Sequence, residues 1–149
     1  MRTIAASEPV NDPTRDCLGL RLGAAHRRVD RLFNHAYARL GLANAHGQVL
    51  VCLLAEGEMR IADIAHRTGF DHSTVSRLVK ELARRKLVRR RRHPVDGRAH
   101  LLRPGARAEA LRADIERLQQ RLNAQLRREL TESDLEGFFQ TIAVMDRLP

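Results

Sequence analysis

The sequence predicts a mainly α-helical fold carrying one small β-hairpin. Three observations lead there. Apolar residues recur at steps of three and four through six separate stretches, the mark of helices with one buried stripe. A turn-rich segment, His93-Pro94-Val95-Asp96-Gly97, separates two short extended runs. Between the helical and extended patterns lies RRKLVRRRR, residues 84–92, with seven cations in nine positions.

Taken in order, residues 1–15 are polar, contain Pro9 and Pro13, and are expected to form a flexible arm. From Asp16 to Leu40 the apolar positions Leu18, Leu22, Ala25, Val29, Leu32, Ala36 and Leu40 make one helical stripe that Gly41 ends. A second helix, 44–55, carries Val49, Leu50, Leu53 and Leu54. A short third helix, 61–68, packs Ile61, Ile64 and Ala65 and closes on Gly69. Asp71 suits the N-cap of a fourth helix, 72–86, whose inner face is Val75, Leu78, Val79 and Leu82. Leu87-Val88 and the arginines then read as one strand, and residues 99–102 as the returning strand, broken by Pro104-Gly105. A long helix over 106–129 follows, with Leu111, Ile115, Leu118, Leu122 and Leu126. Thr131 and Asp134 resemble a capping box opening a last helix with Leu135, Phe138, Phe139, Ile142, Met145 and Leu148.

Charge narrows the function. The 149 residues carry a net +9, and residues 71–103 alone hold eleven cations against three anions, a balance of +8. So one-sided a concentration is the footprint of a phosphate-binding surface; a merely solvated face is the bland alternative. Five aromatics and no tryptophan leave little for base stacking, which argues against single strands and RNA loops. The longest apolar run, 49–55, is too short to span a bilayer, and the first residues contain no apolar signal segment. A cytoplasmic location is the default. Two lone cysteines imply neither a disulfide framework nor a zinc pattern.

Residues 60–82 have the anatomy of a helix-turn-helix: a small residue, Ala65, for the crossing, Gly69 for the turn, and Asp71 to restart the chain. The restarted helix turns His72, Ser73, Thr74, Ser76, Arg77 and Lys80 outward. Short hydroxyls followed by Arg and Lys suit entry into a major groove, where Arg can fork onto guanine O6 and N7. On the following strand the arginines alternate faces, so only part of the set, here Arg90 and Arg92, is expected to meet phosphate.

Through IADIAHRTGFDHSTVSRLVKELARRKLVRR, the tip Pro94-Val95-Asp96-Gly97-Arg98-Ala99 and the long helix after it, the chain resembles the MarR (multiple antibiotic resistance regulator) family of bacterial transcription factors. The resemblance runs from Arg39-Leu40-Gly41-Leu42 to the C-terminal helix. It implies one domain over 16–149: a winged helix-turn-helix lobe at about 44–104, and dimerisation helices at about 16–40 and 106–148. It implies a homodimer binding a pseudo-palindromic double-stranded operator, with Ser73, Thr74, Ser76 and Arg77 facing the major groove. It places Arg98 in the minor groove, its guanidinium oriented by Asp96. A monomeric helical bundle is the alternative to the dimer.

There are departures. Lys86 stands where the family usually has the glycine that ends the recognition helix, so that junction is expected to be made differently. Gly97 replaces a common second arginine, and the returning strand has an open register.

Family members respond to small molecules. The resemblance makes Arg21, His26 and His46 candidates for a pocket taking an aromatic carboxylate, and Cys17 a candidate redox sensor. Cys52, among Val and Leu, reads as core. The seven histidines contain no metal spacing, and no phosphate loop, nucleophile elbow or metal dyad is present. No cofactor, metal site or enzyme activity is therefore expected. The function expected is a sequence-specific repressor released by an effector; redox sensing and a non-regulatory architectural role are the alternatives.

Overall fold

The computed structural model describes residues 13–92 and 100–147. The chain divides into two compact units, one running to Asn44 and the other beginning at Ala45. The first contains α1 (Pro13–Asp16) and α2 (Leu18–Ala38). Residues 13–15, expected within the flexible arm, are thus part of a helical turn, and proline is well suited to the first position of one. Residues 1–12 lie outside the described residues. Beyond α2 a polar knot secures the chain: Asn34 Oδ1 accepts from the Asn44 backbone N–H at 2.8 Å, and Asn44 Nδ2 donates to Asp30 Oδ1 at 2.8 Å. Asn44 is buried, and these bonds satisfy its backbone N–H and its Nδ2, while its Oδ1 has no hydrogen-bond partner among the described residues.

The second unit contains the rest of α3 (Asn44–Glu56), then α4 (Ile61–Thr68) and α5 (His72–Arg84). Strands β1 (Val88–Arg92) and β2 (His100–Pro104) follow, then α6 (Ala106–Arg127) and α7 (Glu132–Met145). α4 and α5 pack on each other across the turn that Gly69 makes at φ +72°, a backbone conformation other side chains resist. Asp71 caps α5 as expected, its carboxylate accepting the Thr74 N–H at 2.8 Å. The inner face of α5 is fully withdrawn from water: Val75, Leu78, Val79 and Leu82 are all buried, with Ile64 of α4. Each such aliphatic side chain contributes about 1.5–3 kcal/mol by its burial, which holds the outer face of α5 at a fixed angle.

The hairpin is antiparallel, with Val88 opposite Pro104, Arg90 opposite Leu102 and Arg92 opposite His100. The register left open by the sequence is therefore settled for the described part, and the returning strand runs two residues further than expected, to include Pro104. Pro104 is the last residue of β2, where a missing N–H is tolerated. A third segment joins the sheet edge. Met59 exchanges both backbone hydrogen bonds with Leu102, at 3.0 and 2.8 Å. Next to it, Glu58 carries ion pairs to Arg91 of β1 at 3.3 Å and Arg103 of β2 at 3.5 Å, so one carboxylate bridges both strands.

The α5-to-β1 junction corrects one expectation. Helix α5 ends at Arg84, two residues early, and Lys86 takes φ +60°. The junction is not built differently from a glycine junction. It is the left-handed conformation that glycine favours, imposed on a lysine. Such a conformation costs an L-residue roughly 1–2 kcal/mol, whereas glycine loses roughly 0.5–1 kcal/mol more chain entropy on folding. Lys86→Gly is therefore expected to stabilise the fold by about 0.5–1 kcal/mol, read as an increased denaturant midpoint at fixed protein concentration. A decreased midpoint would show that the lysine side chain contributes more than the strain.

α6 buries Ala108, Ile115, Leu118 and Leu122, leaving Leu126 exposed, and α7 buries nothing at all. α7 starts as its sequence indicates, with Thr131 and Asp134 in a reciprocal capping box. Among the described residues, no helix is long and apolar enough to cross a membrane.

Candidate nucleic-acid interface

Arg77, Lys80 and Arg84 are spaced three and four residues apart on α5, so they line up on one helix face. Arg90 of β1 joins them, and together with Glu81 and Ala83 they line an open groove of about 500 Å³. Four cations and one carboxylate meet there. Field lines from a set of this kind draw polyanions in, and the attraction weakens as salt rises. Arg92 is also exposed on β1, while Arg91 is turned to Glu58.

At the N-terminal end of α5, Ser73 is exposed and Thr74 and Ser76 are half-buried. Asp71 organises the first two. Its carboxylate accepts from the Ser73 hydroxyl at 2.5 Å, and from the Thr74 hydroxyl at 2.7 Å. These bonds, Ser73's first, hold the Asp71 carboxyl well below the usual carboxylate range. The hydroxyl hydrogens are thereby directed at Asp71, and the oxygen lone pairs face outward as acceptors.

Further along α5, Arg77 is exposed, and its Nη1 lies 3.2 Å from Glu81 Oε1. Asp96 and Arg98, expected at the wing tip, lie outside the described residues.

The effector candidates fall in different units. Arg21 and His26 are exposed on α2 of the first unit, where Arg21 donates to the Arg15 carbonyl at 3.5 Å. His46 is on α3 of the second unit, and its Nε2 donates to Glu81 Oε2 at 2.9 Å. Cys17 is exposed at the N-cap of α2, and Cys52 is buried, its thiol pushed up chiefly by that burial. Among the described residues, no group of three or more His, Cys, Asp or Glu side chains gathers where it could hold a metal ion.

Three residues of this surface escape the sequence reading. Arg84 was available from its helical spacing to Arg77 and Lys80. Glu81 and Glu58 were not, because each acts through partners distant in sequence: His46 for the one, Arg91 and Arg103 for the other.

A two-helix reader with a two-stranded wing beside it defines a winged helix-turn-helix DNA-binding protein. Residues 40–99 match the model of the MarR family. Among solved structures, it is similar to the transcriptional repressor CouR bound to a 23-mer DNA duplex, at 27% identity and TM-score 0.78, covering 95% of this chain and 100% of that one. It is similar in fold to Bordetella bronchiseptica BpsR, described with 6-hydroxynicotinic acid, at 21% identity and TM-score 0.80, covering 90% and 96%. It is also similar in fold to an E. coli MarR variant complexed with operator DNA, at 20% identity and TM-score 0.79, covering 93% and 99%. No curated protein matches the sequence.

Proposed function

We propose that this chain is a homodimeric, sequence-specific repressor that binds a pseudo-palindromic operator and is released by a small aromatic-acid-like effector. The observation that carries the DNA-binding part is the groove in which Arg77, Lys80 and Arg84 of the recognition helix meet Arg90 of the wing. Cations from two elements on one face suit a duplex, whose phosphates flank the groove that the helix enters. Ser73, Thr74, Ser76 and Arg77 are the proposed base contacts, and Lys80, Arg90 and Arg92 the proposed phosphate contacts. Arg98, aimed by Asp96, is the proposed minor-groove contact.

Dimerisation is supported by apolar surface that a single chain leaves in water: Leu18, Leu20, Leu22 and Val29 on α2, and Phe138, Phe139 and Val144 on α7. Phe138 and Phe139, each more than half exposed, are the side chains expected to anchor such an interface. The effector proposal draws on two relatives, BpsR with 6-hydroxynicotinic acid and Rhodococcus jostii CouR bound to p-coumaroyl-CoA.

Footprinting on the DNA upstream of the gene tests the whole. One discrete two-fold site is expected, its half-sites about ten base pairs apart. Continuous coverage would make the protein architectural instead. Light scattering at micromolar concentration should give about twice 16.9 kDa, and a stable monomer would sink the dimer. A thermal-shift screen of small aromatic acids tests the effector, with alanine variants of Arg21, His26 and His46 assayed one at a time.

A further inference from the structure

Among the described residues, Glu81 is the only acid that lines the cationic groove. A carboxylate there repels the phosphates that its neighbours attract, so its presence calls for a physical account. Its two oxygens are differently engaged. Oε2 accepts from His46 Nε2 at 2.9 Å, and Oε1 lies 3.2 Å from Arg77 Nη1. His46 comes from α3 and is only 14% exposed, so it holds Glu81 from the protein side; Arg77, 65% exposed, is held from the solvent side. Arg84 and Arg85 border the same carboxylate on the His46 side. The hydrogen bond from His46 is also the main reason that the Glu81 carboxyl sits below its ordinary range and stays ionised.

We propose that Glu81 is a positioning residue for specificity: anchored by His46, it draws the Arg77 guanidinium back along α5 and keeps it from lone phosphates. Leaving Glu81 for a phosphate only exchanges one charge-assisted pair for another, whereas the O6 and N7 edge of guanine can be met by the guanidinium with Glu81 still beside it. Any single phosphate must compete with a carboxylate already in place. The effect is to lower the affinity for random DNA more than for the operator. The proposal rests on the DNA-binding role given to α5 above.

The size of the effect follows from the pair. An exposed i,i+4 ion pair shifts an equilibrium about twofold, and two copies in the proposed dimer square that to about fourfold.

The test compares binding of operator and random duplexes across salt concentrations for Glu81→Gln, Arg77→Ala and the double variant. Glu81→Gln is expected to tighten random-DNA binding, to lower the operator-to-random ratio about fourfold, and to steepen the random-DNA salt slope by about one per recognition helix as Arg77 moves to phosphate. With Arg77→Ala already present, the same substitution should leave the slope unchanged. If it steepens the slope equally without Arg77, Glu81 acts only through the general field and the proposal fails.

A second pair of variants guards against a folding effect. His46→Gln keeps a donor for Glu81 and should retain the ratio, whereas His46→Leu should lower it. A merely structural role for His46 would reduce operator and random binding alike, and would overturn the anchoring. Failure of the base-reading role looks different: Arg77→Ala alone would then weaken both duplexes equally, while the Glu81–Arg77 coupling in the salt slope would still decide this proposal.

Discussion

Gly105→Ala is expected to lower stability by roughly 2–4 kcal/mol, the largest loss of any single methyl addition argued from this fold. The backbone angles at Gly105, φ −81° and ψ 164°, suit any residue, so conformational freedom is not the reason for glycine. Space is. A Cβ there would run into the Lys86 carbonyl oxygen and would lie 2.9 Å from the Lys86 carbonyl carbon, both main-chain atoms that cannot swing aside. Relief requires the chain to part at the point where Gly105 N–H donates to the Leu87 carbonyl at 2.8 Å, a further loss of about 1 kcal/mol. The same carbonyl region carries the left-handed Lys86, and Gly105 itself starts α6 by accepting from Ala108 and Glu109. Urea unfolding at fixed protein concentration reads the effect. A change under 0.5 kcal/mol would show that the junction can open freely. Opposite signs are thus expected for two residues in contact, a gain for Lys86→Gly and a loss for Gly105→Ala.

Arg77→Ala is expected to weaken operator binding by about 1–3 kcal/mol and to flatten discrimination at one base pair of each half-site. Once the fork-shaped donor is gone, water can meet the guanine acceptors, but water carries no preference for one base edge over another. Phosphate contacts carry no such preference, so Lys80→Ala or Arg90→Ala should weaken all duplexes alike and reduce the salt slope by about one. Binding assays on a panel of single-base operator variants separate the two outcomes. Equal loss across the panel for Arg77→Ala would reassign it to phosphate.

Much of the helix order was legible because it is written in local chemistry. Gly69 and Asp71 mark the turn and the restart of α5, and Thr131 with Asp134 marks the start of α7; each signal lies within three residues of its effect. Helix ends set by distant contacts were not legible. α5 stops at Arg84 where the periodicity continues to Lys86, because the chain must turn to let β1 pair with β2 and let Gly105 close on it. The cationic surface was visible as a count, but its geometry was not. That Arg91 pairs with Glu58 while Arg90 faces the recognition helix depends on strand register and on a residue 33 positions earlier. The Asp30–Asn34–Asn44 knot escaped for the same reason, since three polar residues spread over 15 positions give no periodic sign.

The strained lysine at the head of the wing also bears on how this chain can change by descent. Lysine and glycine codons differ at two bases, so no single nucleotide substitution relaxes Lys86. The intermediates are arginine and glutamate codons. Arginine keeps the charge and the strain together; glutamate keeps the strain and sets an acid among six arginines, on a surface that faces phosphate. Each first step brings no relief, and one of the two carries a penalty. A backbone conformation made for glycine is therefore held on a lysine by the arrangement of the genetic code as well as by charge.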